Sequence, residues 1–257
     1  MKKIAIIAHG LSDGGAERVA SILANYFAES GNSVLFVAAY SPEKEYKLNT
    51  TIKYVYIGSQ NSNKIVKLFH RSWKIDKEIL AFHCDVVISF IINETIITNL
   101  RHKVPIIYSL RIDPGNIKRK KFNWLMCKLI YSRAKKIVFQ TVGACNFFSD
   151  NIRCKGVVIG NPLTRNLPYW NRENHKKTIV TACRLSAQKN LKMLIEGFSE
   201  FHKMYPEYSL QIYGKGVLEE ELKEYAAYLK VSDCVQFPGH SRDIHRIMSE
   251  SAIFTLT

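Results

Sequence analysis

No apolar run in this 257-residue chain reaches the ~18 residues that crossing a bilayer takes, so no membrane-spanning helix is expected. The opening Met1-Lys-Lys-Ile resembles a leader only briefly. Its apolar part stops at His9 without a small-residue cleavage site and reads instead as a first strand. The six cysteines, at 84, 127, 145, 154, 183 and 234, include no Cys-x-x-Cys pair, which argues against a zinc site and against a disulfide framework. Cys84, Cys183 and Cys234 sit in or beside apolar runs and read as small core residues, a usage that fits a reducing cytoplasm. No Asn-Gly hairpin signal, low-complexity segment or short repeat occurs. Acidic residues are scarce too: 22 Asp and Glu face 37 Lys and Arg, a net charge of +15 that points to an anionic partner. Nucleic acid, an anionic membrane face and a phosphorylated substrate all satisfy that requirement.

What is present is an alternation. Apolar strand runs at 3–8, 33–40, 51–57, 85–90, 105–110, 136–140 and 156–159 are separated by helical spacing around 19–27, 63–82, 94–101 and 118–133. Strands that alternate with helices predict an α/β fold with a doubly wound parallel sheet. Asn161-Pro162 through His175 carries no period and marks a linker, after which the alternation restarts with strands at 178–183, 209–213, 234–237 and 252–257. Helices are expected between them at 190–204, 217–230 and 242–251. The expected organisation is a first domain over 1–165, a linker over 166–177 and a second domain over 178–257.

Anion chemistry recurs at the strand-to-helix turns. Arg184 and Lys189 flank the turn after strand 178–183, where strand ends and helix dipoles collect anions, although two cations beside a loop can also be plain surface charge. Gly214-Lys-Gly216 occupies the next such turn, and Gly14-Gly15 the first one in the chain. Glycines there let backbone N–H groups approach a ligand, though a lone Gly-x-Gly is more often a tight turn. The dinucleotide fingerprint Gly-x-Gly-x-x-Gly is missing, as is an acidic residue at the end of the second strand. Taken together, two α/β domains facing each other across a cleft, each with phosphate chemistry, suggest a nucleotide-linked substrate held between them. Arg111 and Asp113 follow directly on a strand and should project at its carboxyl edge.

Five ordered motifs carry a family resemblance over essentially the whole chain. They are Gly14-Gly15-Ala-Glu17-Arg18; Ile137-Val-Phe-Gln-Thr141 with Val158-Ile-Gly-Asn161-Pro162; Arg184-Leu-Ser-Ala-Gln-Lys189-Asn190; Ile212-Tyr-Gly214-Lys-Gly216; and Val235-Gln-Phe-Pro-Gly239. In these the chain resembles the family 4 retaining glycosyltransferases, which have two Rossmann-like domains (the GT-B fold) and use nucleotide-sugar donors. The resemblance implies that Arg184 and Lys189 bind the donor diphosphate and stabilise the leaving nucleoside diphosphate. It also implies that Gly14 and Gly15 approach the same phosphates, that Gly214 and Gly216 lie near the nucleotide, and that Arg111 and Asp113 serve the acceptor or sugar side. A UDP- or GDP-sugar is then the expected substrate donor, with no cofactor. No metal is expected, and no Asp-x-Asp is present to hold one. The family's Glu-x7-Glu pair does not follow Phe254, so a truncated chain with an incomplete second domain is expected.

The expected function is transfer of a hexose-type sugar to a glycan or lipid-linked acceptor in cell-surface polysaccharide synthesis. The alternative is a non-catalytic α/β protein that binds nucleotides or nucleic acid. No recognition motif supports nucleic acid. Basic residues at 64–77 and 118–136 suggest an anionic membrane surface as partner, hence a cytoplasmic protein held peripherally on the inner face of the cell membrane. For 118–133 the other reading is a solvated face over a buried stripe.

Overall fold

The structure, a computed structural model, describes the chain apart from residues 13, 59–62, 102, 120, 164–166, 171, 172, 174, 242 and 257. It divides into two compact units, Met1–Pro162 and Leu163–Thr257.

Unit 1 is built on seven strands: β1 (Lys3–Ala8), β2 (Ser33–Ala38), β3 (Lys53–Tyr56), β4 (Val86–Ser89), β5 (Ile106–Ser109), β6 (Lys136–Phe139) and β7 (Gly156–Val158). All pair in parallel, in the order β3-β2-β1-β4-β5-β6-β7. The helices are α1 (Gly15–Glu29), α2 (Lys64–Phe82), α3 (Ile96–Arg101), α4 (Pro114–Lys118), α5 (Lys121–Arg133), α6 (Val142–Asn146) and α7 (Asp150–Arg153). Continuous apolar strands follow from this arrangement, because helices cover both sheet faces. In β1, Ile4 and Ile6 join a core with Ala20 and Ala24 of α1, whereas Ala5 and Ile7 join one with Ile75 and Ile79 of α2. The buried Tyr108 is satisfied inside the second of these cores, its hydroxyl 2.9 Å from both Thr95 Oγ1 and Asn99 Nδ2.

Unit 2 repeats the plan with β8 (Lys176–Ala182), β9 (Ser209–Tyr213), β10 (Val235–Gly239) and β11 (Ser251–Phe254), all parallel in the order β10-β9-β8-β11. Its helices are α8 (Leu191–Met204), α9 (Glu219–Tyr228) and α10 (Ile244–Ser249). Ile179, Ile195, Phe198, Leu210 and Ile212 form one core. In each unit the strand order reverses beside the first strand, at β1/β4 and at β8/β11.

Three expectations need correcting. The single basic helix over 118–133 is two helices, because Asp113 caps a new helix at Gly115 and Pro114 sits in its first turn, so α4 runs only to Lys118 before α5 starts. Lys120, part of that expected basic helix, and Arg242, the expected start of a later one, lie outside the described residues. The strand expected over 234–237 runs on through Pro238 to Gly239: a register shift between Gln236 and Gly239 lets Gly239, at φ +78°, still pair with Tyr213. The interval between the strands expected at 136–140 and 156–159, for which no helix was expected, holds the short helices α6 and α7. Thr141 caps α6 by accepting from Ala144 N at 3.1 Å.

Candidate functional site

The carboxyl end of β8 leads into a loop that Leu185 pins down, fully buried between two exposed or half-exposed cations, Arg184 and Lys189. A 3-10 turn, Ala187–Lys189, and Asn190 in the left-handed region at φ 41° then redirect the chain into α8. This 14-residue helix starts with no side-chain cap and no acidic residue in its first turn, leaving its positive dipole end uncompensated by its own side chains. Burial pushes the Cys183 thiol up, and the Lys189 charge works against that shift, which places the ammonium near the strand end.

Gly214 and Gly216 abut this loop, and both must be glycine for a structural reason. A Cβ on Gly214, which sits at φ +128°, would overlap the Cys183 carbonyl, and one on Gly216 would overlap that of Leu185. The two turns are also stitched together: Cys183 N donates to Tyr213 O and Leu185 N to Lys215 O, each at 3.0 Å. The Gly214 N–H is itself committed, donating to Gly239 O at 2.9 Å. These glycines bring one turn against its neighbour, and the expectation that the Gly214 amide faces a ligand is not met.

In unit 1, Gly14 is the extended residue before α1, and its carbonyl accepts from Arg18 N at 2.9 Å. Gly15 opens the helix with no atom within 4 Å of where a Cβ would stand. Packing does not require a glycine there. At the neighbouring strand ends, His9 stacks on Tyr40 at 4.6 Å, and the Arg71 guanidinium lies 4.0 Å from the other partner, the Tyr40 ring. Sequence reasoning missed this stack, since its members come from three separate elements. It also missed Glu94, which follows β4 and whose carboxyl is raised by burial. A lone acidic residue in an apolar stretch was the available signal.

Arg111 and Asp113 do come together. Both line a cavity of about 350 Å³ with Gln140, Thr141 and Phe147 at the carboxyl ends of β5 and β6. Arg111 Nε donates to Ser109 Oγ at 2.7 Å and its Nη1 to Asn161 Oδ1, which also accepts from Gln140 Nε2 at 2.9 Å. Burial acts against the Arg111 charge. Asp113 Oδ1 accepts from Gly115 N at 2.9 Å, so part of its role is to cap α4.

Residues 166–257 match the family model described as glycosyl transferases group 1. A glycosyltransferase of Haemophilus influenzae is 24% identical over 266 residues, covering 100% of this chain and 74% of the relative. The chain has the GT-B fold of glycosyltransferases, and its residues 166–257 carry the glycosyl transferases group 1 pattern. The same coverage pattern holds for a second relative, from Campylobacter jejuni, at 24% identity over 280 residues, with 100% of this chain and 73% of the relative covered. That protein is named as a GalNAc-alpha-(1->4)-GalNAc-alpha-(1->3)-diNAcBac-PP-undecaprenol alpha-1,4-N-acetyl-D-galactosaminyltransferase. Among solved structures, Anabaena Alr3699/HepE in complex with UDP and glucose superimposes with a TM-score of 0.78 at 16% identity, over 100% of this chain and 74% of that one. The chain thus shares its architecture with a protein whose structure holds UDP.

Proposed function

We propose that the protein is a glycosyltransferase that transfers a hexose-type sugar, with retention, from a UDP- or GDP-sugar to a glycan or lipid-linked acceptor in cell-surface polysaccharide synthesis. The observation that carries the reading is the β8–α8 turn. Arg184 and Lys189 flank a buried anchor immediately before a long helix with an uncapped amino end. Charge grows on the leaving diphosphate as the glycosidic bond breaks, so cations and helix amides fixed beforehand act more strongly on the transition state than on the ground state. Gly14 and Gly15 would serve the same phosphates and Gly214 and Gly216 the nucleotide side, the latter two by shaping the loop. Arg111, with Asp113 beside it, would meet the acceptor in the 350 Å³ cavity. The name of the Campylobacter relative, which includes an undecaprenol-linked acceptor, supports a lipid-linked acceptor for this chain.

Such an acceptor lies at a membrane, and α2 carries a surface suited to one. Ile65, Phe69 and Trp73 recur at i, i+4 and i+8 on its exposed side together with Val66 and Leu80. Lys77 sits 5.6 Å from the Trp73 ring, and Lys64, Lys67 and Lys74 lie on the same helix. The expected purely basic face is therefore an apolar ridge flanked by lysines, the pattern of a helix that lies in an anionic lipid surface. This surface supports a membrane location, and we propose the cytoplasmic face for it. Among the described residues no helix is long and apolar enough to cross it.

Thermal unfolding with ligands tests the donor site. UDP or GDP at about 100 times its dissociation constant should stabilise the protein by about 2.7 kcal/mol. The double substitution Arg184→Ala with Lys189→Ala should abolish that shift and cut transfer by roughly 10²–10³-fold. Stabilisation by oligonucleotides alone, steeply dependent on salt, would instead establish the nucleic-acid reading.

A further inference from the structure

At the amino end of the unit 2 sheet, opposite the donor turn, the structure brings together a thiol and an imidazole that the proposed transfer does not use. Cys234, just before β10, has its Sγ 3.1 Å from His202 Nε2. His202 Nδ1 lies 3.0 Å from the Tyr208 carbonyl oxygen. A carbonyl can only accept, so Nδ1 carries the proton and donates. In the neutral ring Nε2 is then the bare nitrogen, aimed at the thiol. The ring is held against Phe198 at 5.4 Å between centroids. This is a nucleophile, a base and a group that orients the base.

The other five cysteines lack this arrangement. Burial pushes Cys84 up to about 11 and Cys127 to about 12, and it raises Cys183 as well. Cys145 is buried. Cys154 is the exposed one, but its thiol is engaged as a donor to the Asn151 carbonyl at 3.5 Å rather than aimed at a base. Accessibility alone would select Cys154, whereas chemistry selects the half-buried Cys234.

We propose that Cys234 is a modifiable thiol, with His202 as its base, and that its reaction partner is a small-molecule disulfide. The proton of Sγ passes to His202 Nε2, and the thiolate attacks one sulfur of the disulfide. A new Sγ–S bond forms as the original S–S bond breaks, and the departing thiolate takes the proton from the imidazolium. Cys234 is oxidised to a mixed disulfide and the leaving sulfur is reduced, so electrons balance without a further oxidant.

The test uses the intact folded chain and 5,5′-dithiobis(2-nitrobenzoate) below one equivalent, with peptide mapping of the modified cysteine. Cys234 should react about tenfold faster than Cys154, and His202→Gln should slow Cys234 about tenfold while Cys154 keeps its rate. Cys154→Ser should leave the fast phase in place and Cys234→Ser should remove it, a comparison that does not depend on the His202 variant folding. Labelling that falls first on Cys154, or a fast phase that survives Cys234→Ser, would overturn the proposal.

Discussion

Units 1 and 2 share a strand order around their first strand, yet they build the first strand-to-helix turn in opposite ways. Unit 1 places its glycines in that turn, where Gly15 has open space around it and Gly14 is extended. Unit 2 places two cations in it and moves the glycines one turn further on, where the backbone of the first turn leaves no room for a side chain. The same residue type therefore answers to different causes. Glycine at 214 and 216 of unit 2 is fixed by packing, whereas packing does not require one at Gly15 of unit 1, so a substitution there can test for a ligand role.

Substitutions can break this contrast. The largest effect is expected from Gly216→Val, which sets a branched side chain against the Leu185 peptide. It should destabilise unit 2 by about 3 kcal/mol, seen as an earlier unfolding transition in urea. Unchanged unfolding would show that the turns can move apart and that the contrast is only apparent. A second difference lies on the surface, because the exposed apolar ridge belongs to α2 of unit 1. Phe69→Asp with Trp73→Asp should reduce co-sedimentation with anionic vesicles about tenfold at unchanged folding, since each charge enters the apolar side of the helix. Wild-type binding should weaken as salt rises, and equal binding to neutral vesicles would remove the electrostatic part. The smallest effect on stability is expected from Gly15→Ala. With free space around it, the methyl should stabilise α1 slightly, by roughly 0.5–1 kcal/mol, while donor binding measured by titration weakens. If donor affinity stays at the wild-type level, the glycine has no ligand role.

Much of the architecture was legible because it rests on local signals. Buried parallel strands leave apolar runs, and the cover helices leave a 3.6-residue period, so the alternation from Lys3 to Phe254 could be followed along the chain. Arg184 and Lys189 were legible for the same reason, since they belong to one short turn between a strand and a helix. What escaped depended on residues distant in sequence. The reason for Gly216 is the carbonyl of Leu185, and the stack of His9, Tyr40 and Arg71 draws on three elements. Asp113 is a milder case. Followed by a proline it is a recognisable cap, but its place at a carboxyl strand edge drew attention to the acceptor and away from α4. The α2 ridge was obscured because a helix with apolar residues on two sides reads along the sequence as one with a broad core face.

The peptide link between Leu185 and the glycine turn has a consequence for how variation accumulates here. Leu185 donates its amide to Lys215, and its carbonyl lies against Gly216, so the cation-bearing loop has no independent conformation to adopt. Changes at 214–216 and at 184–189 should accordingly be non-additive: a substitution tolerated in either turn alone becomes damaging, or rescuing, once the other has shifted. The two turns are expected to drift together among relatives as a single inherited block, even though 29 residues separate Arg184 from Gly214 in the chain.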